Sequence, residues 1–111
     1  ASILAERVGL NLSSYASAKA ALVQLTKSMA LELARSNIRV NALAPGYILT
    51  EINQDFFNTD EGKSYIGKIP MKRLGLESEL DGALLLLASN ASSFMTGSVI
   101  TVDGGHLVNP L

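Results

Sequence analysis

The chain has 111 residues, of which 48% are hydrophobic and 17% are charged, and its formal net charge is −1. These values are typical of one small globular domain. Because the sequence contains no cysteine, it excludes a disulfide framework, a thiolate nucleophile and a cysteine-based metal site. The basic residues are scattered, which argues against a nucleic-acid partner. The longest apolar run, Ala83–Ala88, is far shorter than the ~20 residues of a membrane span, and no secretory signal is visible. We therefore predict a cytoplasmic protein without membrane contact.

The first half of the chain predicts strands that alternate with a long helix. The expected elements are a strand end at residues 1–4, a loop at Glu6–Leu12, a helix from Ser13 or Ser14 to about Arg35, and a strand at Ile38–Leu43. Either serine is a suitable N-cap, and Pro45-Gly46 is expected to stop the strand. A short apolar strand after a long helix favours a βαβ unit with a parallel, buried sheet, and hence the α/β class.

The second half predicts a mixed segment at residues 51–75, a helix at Glu77–Ser89 and a strand at Ser98–Val102. Within the mixed segment we expect a short helix at Glu61–Lys68 that ends at Ile69-Pro70. A connection of this length is usually a lid or a binding loop. The pair Phe56-Phe57 could equally anchor it to the core, and the sequence leaves both interpretations open.

The long helix carries an apolar ridge at helical spacing, formed by Leu22, Leu25, Met29 and Leu33. Several alanines leave another side of the same helix thin enough for close packing. This is more apolar and small surface than one neighbouring element would cover. The pattern therefore predicts packing against a second subunit.

Tyr15 and Lys19 are four residues apart, so they share one face of this helix, one turn apart. Leu22, Thr26 and Ala30 continue that face and are mostly apolar or small, so we expect the face to point to the core. A lysine there needs a partner or a task, because an unpaired ammonium group is costly to bury. Its charge would lower the phenol pKa, ordinarily ~10, and prepare the phenol for proton exchange. A core tyrosine beside a snorkelling lysine is the structural alternative.

Further motifs accompany the stretch Ser14–Lys19 (Ser-Tyr-Ala-Ser-Ala-Lys). Ser2 precedes Tyr15 by thirteen residues, and downstream come Arg39–Gly46 (Arg-Val-Asn-Ala-Leu-Ala-Pro-Gly), Thr50, and Met95–Gly105 (Met-Thr-Gly-Ser-Val-Ile-Thr-Val-Asp-Gly-Gly). In this order and spacing the set closely resembles the short-chain dehydrogenase/reductase family. The resemblance extends from Ala1 to about Gly105 and covers the carboxyl-terminal half of that family's domain. It implies that residues 1–111 form the catalytic and substrate half of one Rossmann-like domain with a doubly wound parallel sheet.

The resemblance implies an NAD(P)-dependent oxidoreductase that interconverts a secondary alcohol and a ketone by hydride transfer. Tyr15 would be the general acid and base, Lys19 would lower the pKa of the phenol and bond the nicotinamide ribose, and Ser2 would orient the carbonyl. Pro45, Gly46, Ile48 and Thr50 match the family's second contact with NAD or NADP. A rigid proline before a permissive glycine would let the backbone approach a flat ring, Ile48 would offer main-chain groups, and Thr50 would offer a hydroxyl to the carboxamide.

The same resemblance implies a small carbonyl or alcohol substrate and a homo-oligomer, either a dimer or a tetramer. Phe56-Phe57, Lys63 and Lys72-Arg73 would suit a sugar acid, as in the family's sugar-acid dehydrogenases, or could simply form a basic rim. We expect Asn41 to make structural bonds. We interpret His106, the single histidine, as an exposed loop residue without a catalytic part.

The sequence lacks the family's glycine-rich phosphate-binding motif. It also lacks the catalytic asparagine and the residue that selects between NAD and NADP. We therefore expect a fragment of a longer enzyme that alone is inactive, binds no dinucleotide and associates through its uncovered surfaces. The alternative hypothesis is a truncated, non-catalytic association module derived from the same fold.

Overall fold

A computed structural model describes residues 12–108 of the chain, and their side chains from Ser17 onward. The helices and strands are α1 (Leu12–Leu33), β1 (Ala42–Pro45), α2 (Gln54–Phe57), α3 (Asp60–Gly67), α4 (Asp81–Ala88) and β2 (Val99–Val102). Short 3₁₀ turns occupy Ala34–Ser36, Glu77–Leu80, Asn90–Ser92 and His106–Val108. No helix among these residues combines the length and the hydropathy that crossing a membrane requires. The strand end and loop predicted before Leu12 lie outside the described residues.

The two strands pair with each other. The Ala42 N–H donates to the Ser98 carbonyl and the Gly46 N–H donates to the Val102 carbonyl, both at 2.9 Å. The acceptor advances along β2 as the donor advances along β1, so the pair is parallel. Three helices lie between β1 and β2 in the sequence, and this connection is long enough for a parallel crossover.

Two predicted boundaries in the first half are wrong. Ser13 and Ser14 lie inside α1, so neither is its N-cap. β1 begins at Ala42, so the predicted strand at Ile38–Leu43 starts four residues too early. The reason is that at residues 40 and 41 three hydrogen bonds with residues 95–98 involve polar side chains. A regular ladder of main-chain bonds between β1 and β2 therefore starts only at Ala42.

Asn41 supplies much of that pairing. Its Oδ1 accepts from the Ser98 N–H at 3.0 Å, and its Nδ2 donates to the Met95 carbonyl at 3.0 Å. The Val40 N–H donates to the Thr96 hydroxyl at 3.1 Å. The predicted structural role of Asn41 is therefore confirmed.

The second half agrees more closely with the prediction. α3 matches the short helix expected at Glu61–Lys68, α4 with its preceding 3₁₀ turn matches Glu77–Ser89, and β2 matches Ser98–Val102. α2, which is only one turn long, was not predicted. Thr59 caps α3, since its hydroxyl accepts from the Gly62 N–H at 3.1 Å.

The described chain divides into two compact units, residues 12–42 with 86–100 and residues 43–85 with 101–108. In the first unit Thr26 and Ala30 are buried on α1, with 5% and 4% of their surface exposed. The Arg39 guanidinium donates to the carbonyls of Leu87, Ser89 and Met95 at 3.1–3.2 Å. The bonds to Leu87 and Ser89 satisfy main-chain acceptors at the carboxyl end of α4, where a positive charge is favourable. The bond to Met95 ties the same guanidinium to the segment that precedes β2.

The apolar ridge of α1 is largely uncovered. Leu22 is 57% exposed, Leu25 54% and Met29 38%. An exposed row of large apolar side chains marks an interaction surface more often than a free face. The structure is therefore consistent with the expected need of this ridge for a partner.

In the second unit Phe57 and Ile69 are buried, with 3% and 1% of their surface exposed. The Phe57 ring lies 5.6 Å from the ring of Tyr47, and the Tyr47 ring lies 5.1 Å from that of His106. Of the two interpretations of the Phe56-Phe57 pair, the anchor therefore applies to Phe57. The prediction for His106 is wrong in its exposure, because the residue is half-buried in a 3₁₀ turn against Tyr47.

Candidate functional site

The predicted acid–base residues lie on α1, apart from Ser2, which is outside the described residues. Tyr15 and Lys19 are one helical turn apart, so their Cα atoms are separated by about 6 Å along the axis. Lys19 is exposed, and so is Leu22 on the same face. The prediction that this face points to the core is therefore wrong for its first part. It holds for the second part, where Thr26 and Ala30 are buried.

The second predicted group forms one continuous segment at the end of β1. Pro45 is the last residue of the strand and is exposed. Gly46 follows it, and its N–H still pairs with the Val102 carbonyl at 2.9 Å. A Cβ atom at position 46 would lie 2.6 Å from Cβ and 2.9 Å from Cα of Asp103. The close approach that requires glycine here is therefore to the chain at Asp103, whereas the sequence analysis explained it by approach to a ligand ring.

Ile48 is held in extended conformation by a parallel bridge to Gly75. The Gly75 N–H donates to the Tyr47 carbonyl at 2.9 Å, and the Leu49 N–H donates to the Gly75 carbonyl at 2.8 Å. In this pattern the flanking residues make the bonds, so the N–H and C=O of Ile48 itself point away from Gly75. Within the described part of the chain the Ile48 N–H has no hydrogen-bond partner. It is thus a main-chain donor available to a ligand.

Thr50 and Asn53 form a reciprocal pair. The Thr50 N–H donates to Asn53 Oδ1 at 2.8 Å, and the Asn53 N–H donates to the Thr50 hydroxyl at 3.3 Å. This is the arrangement of a capping box, with asparagine in place of the usual glutamate or glutamine. In addition, Asn53 Nδ2 donates to the Ile48 carbonyl at 2.7 Å. Asn53 is 8% exposed, so its amide is committed to the segment Ile48–Thr50.

The bond from the Asn53 N–H orients the Thr50 hydroxyl group. Its oxygen accepts from the Asn53 N–H, and among the described residues its own proton has no acceptor. The hydroxyl is therefore available as a donor. The Ile48 carbonyl accepts one bond from Asn53, and a carbonyl oxygen has two lone pairs. The segment accordingly offers two donors and one acceptor to a ligand.

On the other side of the Ile48 bridge, an ion pair secures the residues around Gly75. The Arg73 guanidinium binds both carboxylate oxygens of Glu79, at 2.6 and 2.9 Å, and also donates to the Leu74 carbonyl at 3.1 Å. The Leu76 N–H donates to Glu79 at 3.0 Å. The hydrogen bond from Arg73, assisted by that from Leu76, lowers the pKa of Glu79 from 4.5 to about 2. This pair explains why Arg73 is not an open cationic group for a substrate.

Lys72 is also engaged, since its ammonium donates to the Gly67 carbonyl at 2.5 Å. A cleft beside Gly75 is lined partly by Arg73, Glu79 and Met71. Asp103 also lines the cleft. All three charged groups are already bound, since Arg73 and Glu79 bind each other and the Asp103 carboxylate accepts from the N–H groups of Gly105 and Leu107. The cleft therefore offers mainly apolar surface. In the described part of the chain, no cluster of histidine and acidic residues is suited to a metal ion.

Asn53 was not among the predicted site residues, although Thr50-x-x-Asn53 has the spacing of a capping box. That spacing predicts the bonds between Thr50 and Asn53. It does not predict the third bond to Ile48, because that bond depends on how the chain turns between Ile48 and Asn53.

A protein-family model described as enoyl-(acyl carrier protein) reductase matches residues 1–106. The chain belongs to the short-chain dehydrogenase/reductase family. Among curated relatives of this short-chain dehydrogenase/reductase is the sorbose reductase of Candida albicans. It is 50% identical over 92 residues, which make up 83% of the chain and 32% of the relative.

Solved structures of the family confirm the predicted fold class. One from Agrobacterium tumefaciens, provisionally described as a 2-deoxy-D-gluconate 3-dehydrogenase with bound NADP, has a TM-score of 0.81 and 37% identity over 97% of this chain and 44% of its own. Another, from Haemophilus influenza, is provisionally described as a D-mannonate oxidoreductase with bound NAD. It has a TM-score of 0.81 and 34% identity over 88% of this chain and 38% of its own. The chain therefore spans less than half the length of these short-chain dehydrogenases/reductases.

Proposed function

We propose that this chain carries the acid–base and nicotinamide-binding part of an NAD(P)-dependent oxidoreductase that interconverts a secondary alcohol and a ketone. The observation that carries the proposal is the polarity of the segment Ile48–Thr50. A carboxamide has an oxygen that accepts and an NH₂ group that donates. The Ile48 N–H and the Thr50 hydroxyl would bind that oxygen, and the Ile48 carbonyl would bind the NH₂ group. Proteins of similar fold described with bound NAD and NADP support this assignment.

In this proposal Tyr15 is the general acid and base. During reduction its hydroxyl donates the proton that the carbonyl oxygen takes up while a hydride adds to the carbonyl carbon. During oxidation the phenolate takes the proton from the alcohol. Bound NAD(P) supplies or accepts the hydride. Lys19 favours the phenolate by its positive charge and donates to the nicotinamide ribose, and Ser2 orients the substrate carbonyl.

For the substrate we propose a sugar, a polyol or a sugar acid. Relatives described as a sorbose reductase, a gluconate-type dehydrogenase and a mannonate oxidoreductase support this class. The basic residues of segment 51–75 lend it little support, because Arg73 is bound to Glu79 and Lys72 to a main-chain carbonyl. The proposal of a sugar substrate therefore rests on the relatives.

The exposed ridge of α1 favours a second property, association. Leu22 and Leu25 are 57% and 54% exposed. Burying the remaining surface of each contributes about half of the ~1.5–3 kcal/mol of a fully exposed leucine. We propose that the intact protein is a homo-oligomer. A purely associative, non-catalytic module would show the same association without turnover, so turnover separates the two functions.

The test is turnover by the intact protein, meaning these 111 residues together with any further residues of the natural protein. The substrates are a polyol or a sugar acid with either NAD or NADP. We expect Tyr15→Phe to lower turnover by ~10²–10⁴-fold and to leave cofactor affinity nearly unchanged, because only the transferable proton is lost. A variant that keeps more than about a tenth of the turnover, against the ~10²-fold minimum expected for acid–base catalysis, would remove Tyr15 from this role.

Lys19→Met tests the second member of the pair. We expect the alkaline limb of the pH profile to move upward, because the phenolate loses a neighbouring positive charge, and cofactor binding to weaken. Lys27→Met is a matched control, since Lys27 is also exposed on α1. An unchanged pH profile would remove the effect of Lys19 on the phenol, and unchanged cofactor binding as well would make Lys19 a purely structural residue.

A further inference from the structure

Asn53 connects three groups of the segment proposed to recognise nicotinamide. Its side-chain amide donates to the Ile48 carbonyl at 2.7 Å and accepts from the Thr50 N–H at 2.8 Å, and its main-chain N–H donates to the Thr50 hydroxyl at 3.3 Å. Asn53 is 8% exposed. Its side chain points inward to the segment, so a ligand of the segment would not need to touch it.

The chemistry of these bonds determines what the segment can offer. Because the Thr50 oxygen accepts from Asn53, its hydroxyl proton is left to donate elsewhere. Because Asn53 takes up the Thr50 N–H, that group cannot compete with the Ile48 N–H for an incoming acceptor. The bond to the Ile48 carbonyl fixes the direction of the remaining lone pair.

We infer that Asn53 is a positioning residue for recognition of the nicotinamide carboxamide, acting through Ile48 and Thr50. This inference rests on the proposed function, since it assigns a role within the same site. The bonds of Asn53 hold Ile48 and Thr50 in place before a ligand binds. Preorganised groups bind a ligand more tightly than groups that must be ordered on binding. A residue with this role supports the nicotinamide end of a dinucleotide and has no influence on the adenine end.

Two substitutions separate the bonds. Asn53→Asp is nearly isosteric and retains an acceptor for the Thr50 N–H, but it replaces the donor to the Ile48 carbonyl by a carboxylate oxygen. Asn53→Ala removes both side-chain bonds. Thr59→Ala is the matched control. The Thr59 side chain, like that of Asn53, accepts from a main-chain N–H in the same unit, that of Gly62 at 3.1 Å, and it does not bond to Ile48 or Thr50.

The experiment measures dissociation constants of the intact protein for NADH and NADPH, and for ADP-ribose and its 2′-phosphate, which lack nicotinamide. Loss of one positioning bond is expected to weaken NADH or NADPH binding by about three- to tenfold for Asn53→Asp, and more for Asn53→Ala. Binding of the matching ADP-ribose compound should stay within about twofold, which is the scatter of a neutral substitution. Thr59→Ala should leave both affinities in place.

The role of Asn53 is decided by comparing how far its substitutions weaken binding of the dinucleotides and of the ADP-ribose compounds. Equal weakening of the dinucleotide and the ADP-ribose compound, or no weakening of either, would overturn the role of Asn53 while the proposed function stands. A wild-type protein that binds none of the four compounds would overturn the proposed function itself, and this inference with it. If Asn53→Ala does not fold, Asn53→Asp alone decides, because it retains the capping bond to Thr50.

Discussion

Replacing Gly46 by alanine tests whether close packing against Asp103 determines the shape of the segment after β1. The new Cβ would lie 2.6 Å from Cβ and 2.9 Å from Cα of Asp103. Carbon atoms in contact prefer about 3.5–4.0 Å, so the two segments would have to separate by roughly 1 Å. The hydrogen bond from the Gly46 N–H to the Val102 carbonyl, now 2.9 Å, would lengthen with that movement.

These contributions give the expected loss of stability. Overpacking costs about 1–3 kcal/mol, and a weakened hydrogen bond costs about 0.5–1.5 kcal/mol. Alanine restricts the unfolded chain and returns about 0.4–1 kcal/mol. The free energy of unfolding should therefore fall by about 2 kcal/mol, within a range of roughly 0.5–4 kcal/mol.

The assay is urea unfolding of the purified protein followed by circular dichroism. Gly82→Ala is the matched control, because a Cβ at Gly82 in α4 meets no atom within 4 Å. That variant should gain up to ~1 kcal/mol from the better helix propensity of alanine. If Gly46→Ala is as stable as the wild type while Gly82→Ala behaves as expected, the argument from the Asp103 contact is refuted.

Two further predictions concern the ion pair Arg73–Glu79 and the guanidinium clamp, which is the set of three bonds from Arg39 to main-chain carbonyls. The Arg73 bond holds the pKa of Glu79 at about 2 in the folded protein, below its ordinary 4.5. Its contribution is therefore complete above pH 4.5 and is lost as the pH falls toward 2. Glu79→Gln should flatten the fall of the unfolding free energy in that window, and an equal effect of Glu77→Gln on the same 3₁₀ turn would contradict the assignment. Arg39→Met should lose about 1.5–3 kcal/mol, because three main-chain carbonyls lose a charged donor, whereas the exposed Arg35→Met should change stability little. Similar losses for both arginine variants in urea unfolding would exclude the clamp.

Local patterns were sufficient to predict α1, α3, α4 and β2. The spacing of apolar residues located α1, and the break at Ile69-Pro70 located the end of α3. Local patterns failed for β1, whose start depends on Asn41 bonding to residues more than fifty positions away. They failed likewise for His106, because its ring contact is with Tyr47, far away in the sequence.

The candidate site likewise contains residues that a local motif identifies and a residue whose role depends on its contacts in the fold. Ile48 and Thr50 were singled out as ligand contacts because they belong to a short motif that resembles a known family. Their roles stay predictions, as do those of Ser2, Tyr15 and Lys19. Asn53 was missed because a residue that acts through others has no chemical signature of its own, and an asparagine at the start of a helix is usually explained as a cap.

The bonds around Ile48 show why the motif alone does not determine what the segment can bind. On one side Gly75 pairs with the flanking Tyr47 and Leu49, and on the other Asn53 holds the Ile48 carbonyl. The stretch around Gly75 is in turn secured by the pair Arg73–Glu79. Substituting either Asn53 or Arg73 should therefore loosen the same two groups, the N–H and the C=O of Ile48, although Asn53 and Arg73 are twenty residues apart in sequence. Double substitution of Asn53 and Arg73 should then weaken NADH binding little more than either single substitution, because each already releases the same segment.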